Sequence, residues 1–300
     1  MRPLIIFISI VAAVFLAGAV LSYPVYTGLV SIIHISYRQT LHFTILLTAL
    51  LLAVGYLYAA RVLAPILGWH NRFGETLRSL GAGLAAGLAL LSLIELCLYL
   101  LGMRQADPAL GNGTAPFLLA LLKALLIGCI VGFTEEVLYR GAIFTGLARY
   151  SNSLTALIVS SLFYGAVHFI QFPPLPAGTG ASWTAGLHIL AGAFNQFTDP
   201  LVLDSLFSLI LLGLLFGLLR WRTGNIILCT GLHAGIVTAN KIYSYATDFK
   251  PGSAHAYLVN GHDHLTGVLA SFWLLLAGLF YYFLCMKENP PARSAKQPED

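Results

Sequence analysis

An all-α, polytopic membrane bundle of about eight transmembrane helices is the fold class this sequence predicts, on three observations. Hydrophobic residues make up 58% of the 300 and charged residues only 9%. The mean hydropathy is +0.83. The apolar residues also gather into stretches long enough to cross the roughly 30 Å of a bilayer's hydrocarbon. So little of the chain lies outside these stretches that no separate soluble domain fits, which leaves one bundle whose loops are connections.

The stretches fall near residues 3–22, 41–60, 80–103, 115–134, 153–170, 201–219, 225–245 and 265–285. The first follows Arg2 and ends near Ala17, Gly18 and Ala19, which superficially resembles a signal peptide. That run is long for a cleaved leader and further spans follow it, so an uncleaved first helix is expected. The fourth passes through Glu135 without a strong breaker and is expected to continue as helix to about Tyr150. Tyr150, Ser151, Asn152 and Ser153 then read as a turn with an N-cap before the fifth. Cys97, Cys129, Cys229 and Cys285 all fall inside expected helices, as small apolar packing residues rather than a disulfide set or metal cluster. The tail from Glu288 to Asp300 reads as a disordered end.

Lys and Arg in the short loops set the expected orientation. With the N-terminus inside, one side receives Arg2, Arg61, Arg72, Arg78, Arg149, Arg220, Arg222, Lys287, Arg293 and Lys296; the other receives Arg38, Arg104 and Lys250. That asymmetry predicts cytoplasmic N- and C-termini. The net charge of +4 is then a topology signal, and a nucleic-acid-binding patch is not needed to explain it.

Within so apolar a chain, the run TEEVLYRG stands out, because carboxylates at membrane depth are costly unless paired and commonly mark a functional site. Successive helical residues point about 100° apart, so Glu135 and Glu136 cannot do the same job. Glu136 and Arg140 stand at i and i+4 in the favourable order for an ion pair, which leaves Glu135 free as a general base. The bland alternative is that both glutamates only bridge helices. Because the fourth and fifth helices are joined by a short turn they should lie antiparallel, with residues equally far from the turn at equal depth. Glu135 and His168 both lie about 23–26 Å from it, so they can meet. His233 lies in the seventh helix. One Glu and two His around a cavity can activate water and stabilise the oxyanion formed when it attacks an amide.

The ordered combination EEVLYRG, YGAVH, and RTGNI followed by HAGIV resembles the CPBP family of membrane proteases (CAAX proteases and bacteriocin-processing enzymes, also called ABI), with its EExxxR, FxxxH and HxxxN motifs. The resemblance covers roughly residues 115–240, within a protease core drawn at 115–245, with 1–114 as preceding transmembrane helices and 246–300 as a loop, last helix and cytoplasmic tail. It implies an intramembrane endopeptidase in which Glu135 acts on water, His168 assists, Glu136 and Arg140 support, and His233 lines the oxyanion side. A glutamate mechanism without metal is favoured over zinc: there is no HExxH, and using Glu135 as a zinc ligand would leave no clear separate base. Two positions depart from the pattern. Tyr164 replaces Phe and adds a hydroxyl near the site, and Val237 stands where the motif has Asn. Asn240, at i+7 from His233, points to a similar face and is the candidate substitute.

The expected partners are a peptide or membrane-protein substrate and the lipid bilayer, with no nucleic acid, and the expected location is a bacterial inner membrane. Val237 favours the alternative of a non-catalytic protein for peptide or lipid binding or bacteriocin self-protection. A proton-coupled transporter ranks last, since no inverted repeat or pair of broken half-helices is evident. The connection from Gln171 to Pro200, with FPPLP and no Lys or Arg, is expected to shape the cavity as a lid or re-entrant segment. His255, His262, Asp263 and His264 form a second cluster, read as a solvated loop rather than a metal site.

Overall fold

The computed structural model describes residues 2–69, 71–107, 113–176, 178–250, 252–261 and 263–286, so the expected disordered tail and His262 lie outside the described residues. Eleven helices are labelled in chain order: α1 (Arg2–Leu29), α2 (Tyr37–Ala59), the short α3 (Leu63–Ile66), α4 (Phe73–Leu100), α5 (Thr114–Glu136), α6 (Phe144–Tyr150), α7 (Ser153–Val167), α8 (Ala185–Gly192), α9 (Val202–Thr223), α10 (Ile227–Ala246) and α11 (Val268–Tyr281). A π-helical segment, Val137–Ile143, joins α5 to α6 without a break. A small antiparallel ribbon pairs β1 (Arg104–Ala106) with β2 (Thr247–Phe249).

Each stretch expected to be helical is helical over most of its length, and the all-α bundle stands, while the count of about eight spans is not confirmed. Among the described residues, five helical stretches are long and apolar enough to cross a membrane: Arg2–Leu29, Tyr37–Ala59, Phe73–Leu100, Thr114–Tyr150 and Val202–Thr223. The segments at Ser153–Val167 and Val268–Leu284 are apolar but shorter. The stretch expected at 225–245 became α10, which carries His233, Thr230, Thr238, Asn240 and Lys241 and is enclosed by other helices for much of its length. Lipid-facing positions instead show on helices such as α5, where Leu118, Leu122, Leu126, Ile130 and Phe133 are exposed.

What seats α10 is a set of close backbone approaches. On α4, Gly83 and Gly87 face Gly231 and Gly235 of α10: a Cβ at Gly87 would overlap the Leu232 carbonyl, and one at Gly235 the Leu84 carbonyl. On α5, a Cβ at Gly132 would come within 2.9 Å of the Ala234 nitrogen. Glycines four apart let helices touch backbone to backbone, the usual solution where lipid gives no hydrophobic drive to association. Rising residue numbers run the same way along α4 and α10, and opposite ways along α5 and α10, which brings the end of α5 level with the first half of α10.

At the expected turn, the Asn152 side chain accepts a 2.8 Å bond from the Thr155 N–H and caps α7. The expected lid takes a different position. Its helix α8 packs on α1, with Gly186 against Ala19 and Ser22, while Tyr37 donates to the Ser182 carbonyl and Gln171 N–H to the Ala193 carbonyl. The connection is thus docked on the α1–α2 hairpin in a shared apolar core with Phe172 and Leu175. Ala185, Ile189, Leu190 and Ala193 are buried in that packing, while Trp183, Leu187, Phe194 and Phe197 remain exposed.

Candidate active site

Three helices and the π segment bring the polar residues together. Glu136, wholly buried, ends α5; its Oε1 lies 3.3 Å from Arg140 Nη1 and 3.0 Å from His233 Nδ1. Because an ionised carboxylate only accepts, the His233 Nδ1–H is the donor, and the Nε2 edge of the ring is turned elsewhere. That edge lies 3.8 Å from Glu135 Oε2. The distance is too long for a hydrogen bond and is of the order that a single bridging water spans.

Arg140 is held on several sides. Nη2 donates to the Gly213 carbonyl of α9 at 3.2 Å, and Cζ stands 4.4 Å from the ring centroid of Tyr164 and 4.7 Å from that of Phe216. Phe216 also stacks on His233, with centroids 4.9 Å apart and planes inclined by 21°. The π segment follows Glu136 directly. Its extra residue per turn alters the direction of every side chain that follows, and such insertions recur at functional sites.

Several polar atoms here are sealed from solvent and lack hydrogen-bond partners: Glu135 Oε2, Glu136 Oε2, Arg140 Nε and Thr230 Oγ1. Buried polar groups are normally satisfied by protein or ordered water, so this concentration of spare donors and acceptors marks a place built to receive something polar. Glu135, with a quarter of its side chain exposed, is the member of the group that a small molecule can reach.

The other sequence-derived residues are less uniform. His168 caps α7, is exposed, and pairs Nδ1 with the Tyr164 carbonyl at 2.7 Å. That nitrogen must be the donor, so in neutral His168 the Nε2 lone pair is free. No hydrogen bond links His168 to Glu135 among the described residues; the ring of Tyr164 lies beside both histidines, 4.6 Å from His168 and 6.2 Å from His233 between centroids. Asn240 makes no hydrogen bond to the cluster among the described residues, and seven residues of helix place it about 10 Å along α10 from His233.

Sequence reasoning missed Arg220 by counting it as a loop charge. It is 8% exposed, donates from Nε to the Arg140 carbonyl at 3.1 Å and from Nη2 to Thr145 Oγ1 at 3.2 Å, and so clamps the π segment from α9. The signal available was its place inside an apolar helix, one turn after Phe216. The second histidine cluster is put to structural use: Asp263 Oδ1 accepts from the N–H groups of Leu265 and Thr266, and His264 stacks on Phe249 at 4.0 Å.

Residues 117–239 match the family model described as Rce1-like, the type II CAAX prenyl endopeptidases. Over that stretch, 123 of the 300 residues, the chain is similar to the type II CAAX prenyl endopeptidases, the kind of membrane protease its motifs resemble. The matched stretch runs from α5 into α10 and holds Glu135, Glu136, Arg140, Tyr164, His168 and His233, while Asn240 lies just outside it. That similarity, together with the long apolar helices, supports a membrane endopeptidase role in an integral membrane protein. No curated protein and no solved structure matches the chain.

Proposed function

We propose that this protein is an intramembrane endopeptidase in which Glu135 activates a water for attack on a peptide bond. The observation that carries the reading is the division of labour between adjacent glutamates. Glu136 is occupied by Arg140 and His233, whereas Glu135 keeps an unpartnered oxygen 3.8 Å from His233 Nε2. A water held between those two atoms gives its proton to Glu135 as it attacks, and His233, when doubly protonated, turns Nε2–H toward the oxyanion. His168 offers its free Nε2 at the edge of the same aromatic group, positioned to relay protons to the leaving amine.

No step is routed through a metal. Among the described residues no group of three or more His, Cys, Asp or Glu is arranged to hold an ion, and the Arg140 guanidinium already supplies positive charge at Glu136. The substrate is a peptide segment or membrane protein reached from the bilayer, and the proposed location is a bacterial inner membrane with both termini cytoplasmic. Removing the buried Arg220 from the loop charges leaves nine against three, so the orientation argument survives its loss.

The test compares membrane proteomes of cells carrying the wild type and Glu135→Ala. A set of membrane proteins cut only in wild-type cells is expected; identical proteomes, with both proteins present in equal amount, would sink the proposal. Activity of the purified enzyme should also survive rigorous chelation, and loss restored by zinc would overturn the glutamate mechanism.

A further inference from the structure

We propose that the Tyr164 hydroxyl is a catalytic oxyanion donor that takes the place of the side-chain amide Val237 lacks, an inference that rests on the glutamate reading above. Tyr164 is only 1% exposed, yet its hydroxyl makes no hydrogen bond to protein among the described residues. The hydroxyl is not one of the sealed unpartnered atoms of the site, so it borders accessible space and is available to a ligand. The ring is edge-on to both His168 and His233, at 4.6 and 6.2 Å.

Its surroundings suit the role. The Arg140 guanidinium 4.4 Å from the ring centroid draws density from the π face, which strengthens the O–H as a donor. Tyr139 packs edge-on at 5.1 Å and Phe216 at 6.1 Å, so the ring is fixed before reaction, and a preorganised donor needs no rearrangement as charge develops. Position 237 offers nothing comparable, since valine carries no donor, and Asn240 stands about two turns from His233.

In the step itself, the water oxygen bonds to the carbonyl carbon as one proton passes to Glu135, and the C=O π pair moves onto the carbonyl oxygen. Tyr164 O–H and His233 Nε2–H donate to that oxyanion. Collapse re-forms the C=O bond, breaks the C–N bond and sends the proton from Glu135 by way of His168 Nε2 to the amine nitrogen, leaving a carboxylic acid and an amine.

Tyr164→Phe removes one oxygen and keeps the ring, so the packing around Arg140 survives. The full-length protein in proteoliposomes is assayed on a quenched-fluorescent peptide spanning a bond cut in wild-type but not Glu135→Ala cells. The expected result is a fall in kcat of about 10²–10³ with KM nearly unchanged, the usual effect of losing one oxyanion donor. Tyr164→Phe combined with Val237→Asn should recover at least about tenfold of that loss. A Tyr164→Phe enzyme as fast as the wild type, or a loss that Val237→Asn leaves untouched, overturns the proposal. Glu135→Gln run in parallel separates the two claims: if it still cleaves, the glutamate reading falls and this one with it; if it is dead while Tyr164→Phe is fully active, only this one falls.

Discussion

Two glutamate–arginine pairs with buried carboxylates, one at the end of α4 and one where α5 runs into the π segment, are finished very differently. Glu95 and Arg104 meet in a two-pronged arrangement, Nε to Oε2 and Nη2 to Oε1, both at 3.0 Å, and Nη2 also donates to the His264 carbonyl. That pair ties the end of α4 to the ribbon and the loop before α11. Glu136 and Arg140 share one 3.3 Å contact, and Glu136 Oε2 and Arg140 Nε are left without partners beside a second glutamate. The difference separates a fastening from a workplace. A structural ion pair uses its bonding capacity on itself, since any sealed polar atom left over costs stability. A site that must bind a polar reactant keeps some of that capacity in reserve, and the surrounding helix contacts have to carry the cost.

The sharpest way to break this comparison is at the residue only one side has. Glu135→Gln keeps shape and removes the base, and peptide cleavage should fall by about 10²–10⁴ with thermal stability intact. Cleavage at the wild-type rate would reduce the two pairs to the same class. Next come the pairs themselves. Breaking either with Arg140→Met or Arg104→Met alone leaves a buried carboxylate uncompensated and should cost about 3–5 kcal/mol in detergent unfolding.

Replacing both partners by apolar residues of similar volume should restore most of that stability in each case. Only Glu136→Leu with Arg140→Met should then be inactive, while Glu95→Leu with Arg104→Met keeps cleaving. Two equally active double variants would refute the distinction. The smallest effect is expected where α9 clamps the π segment: Thr145→Val, which gives up one hydrogen bond from Arg220, should lose about 1.5–3 kcal/mol, and Arg220→Gln, whose amide can keep one bond to the Arg140 carbonyl, a similar amount. Unfolding midpoints for both, with cleavage rates measured alongside, check whether the clamp holds Arg140 in its working direction.

The helical stretches were legible because crossing hydrocarbon demands long apolar runs, and that demand is local in sequence. TEEVLYRG was legible for a related reason: charge is rare in this chain, so each instance carries information. The i,i+4 pairing of Glu136 with Arg140 and the N-cap at Asn152 followed from spacing alone. The docked α8 was not legible, since a run such as Trp183 to Phe197 is equally apolar whether it lies over a cavity or against α1. Helix separation was written into GLAAG at 83–87, GCIVG at 128–132 and GLHAG at 231–235, but a glycine spacing names no partner.

By itself the sequence determined the helices, the family resemblance of the core and the residues able to do chemistry, because composition, period and motif spacing are properties of the chain one stretch at a time. Tertiary structure alone decided that His233 holds Glu136 and faces Glu135, that Arg220 turns inward to Arg140, and that Tyr164 stands between two histidines with a free hydroxyl. Those relations join residues up to 98 positions apart, His233 and Glu135 being the most distant. They depend on how closely and in what register helices pack, and that is set by the glycine contacts around α10 rather than by any one segment.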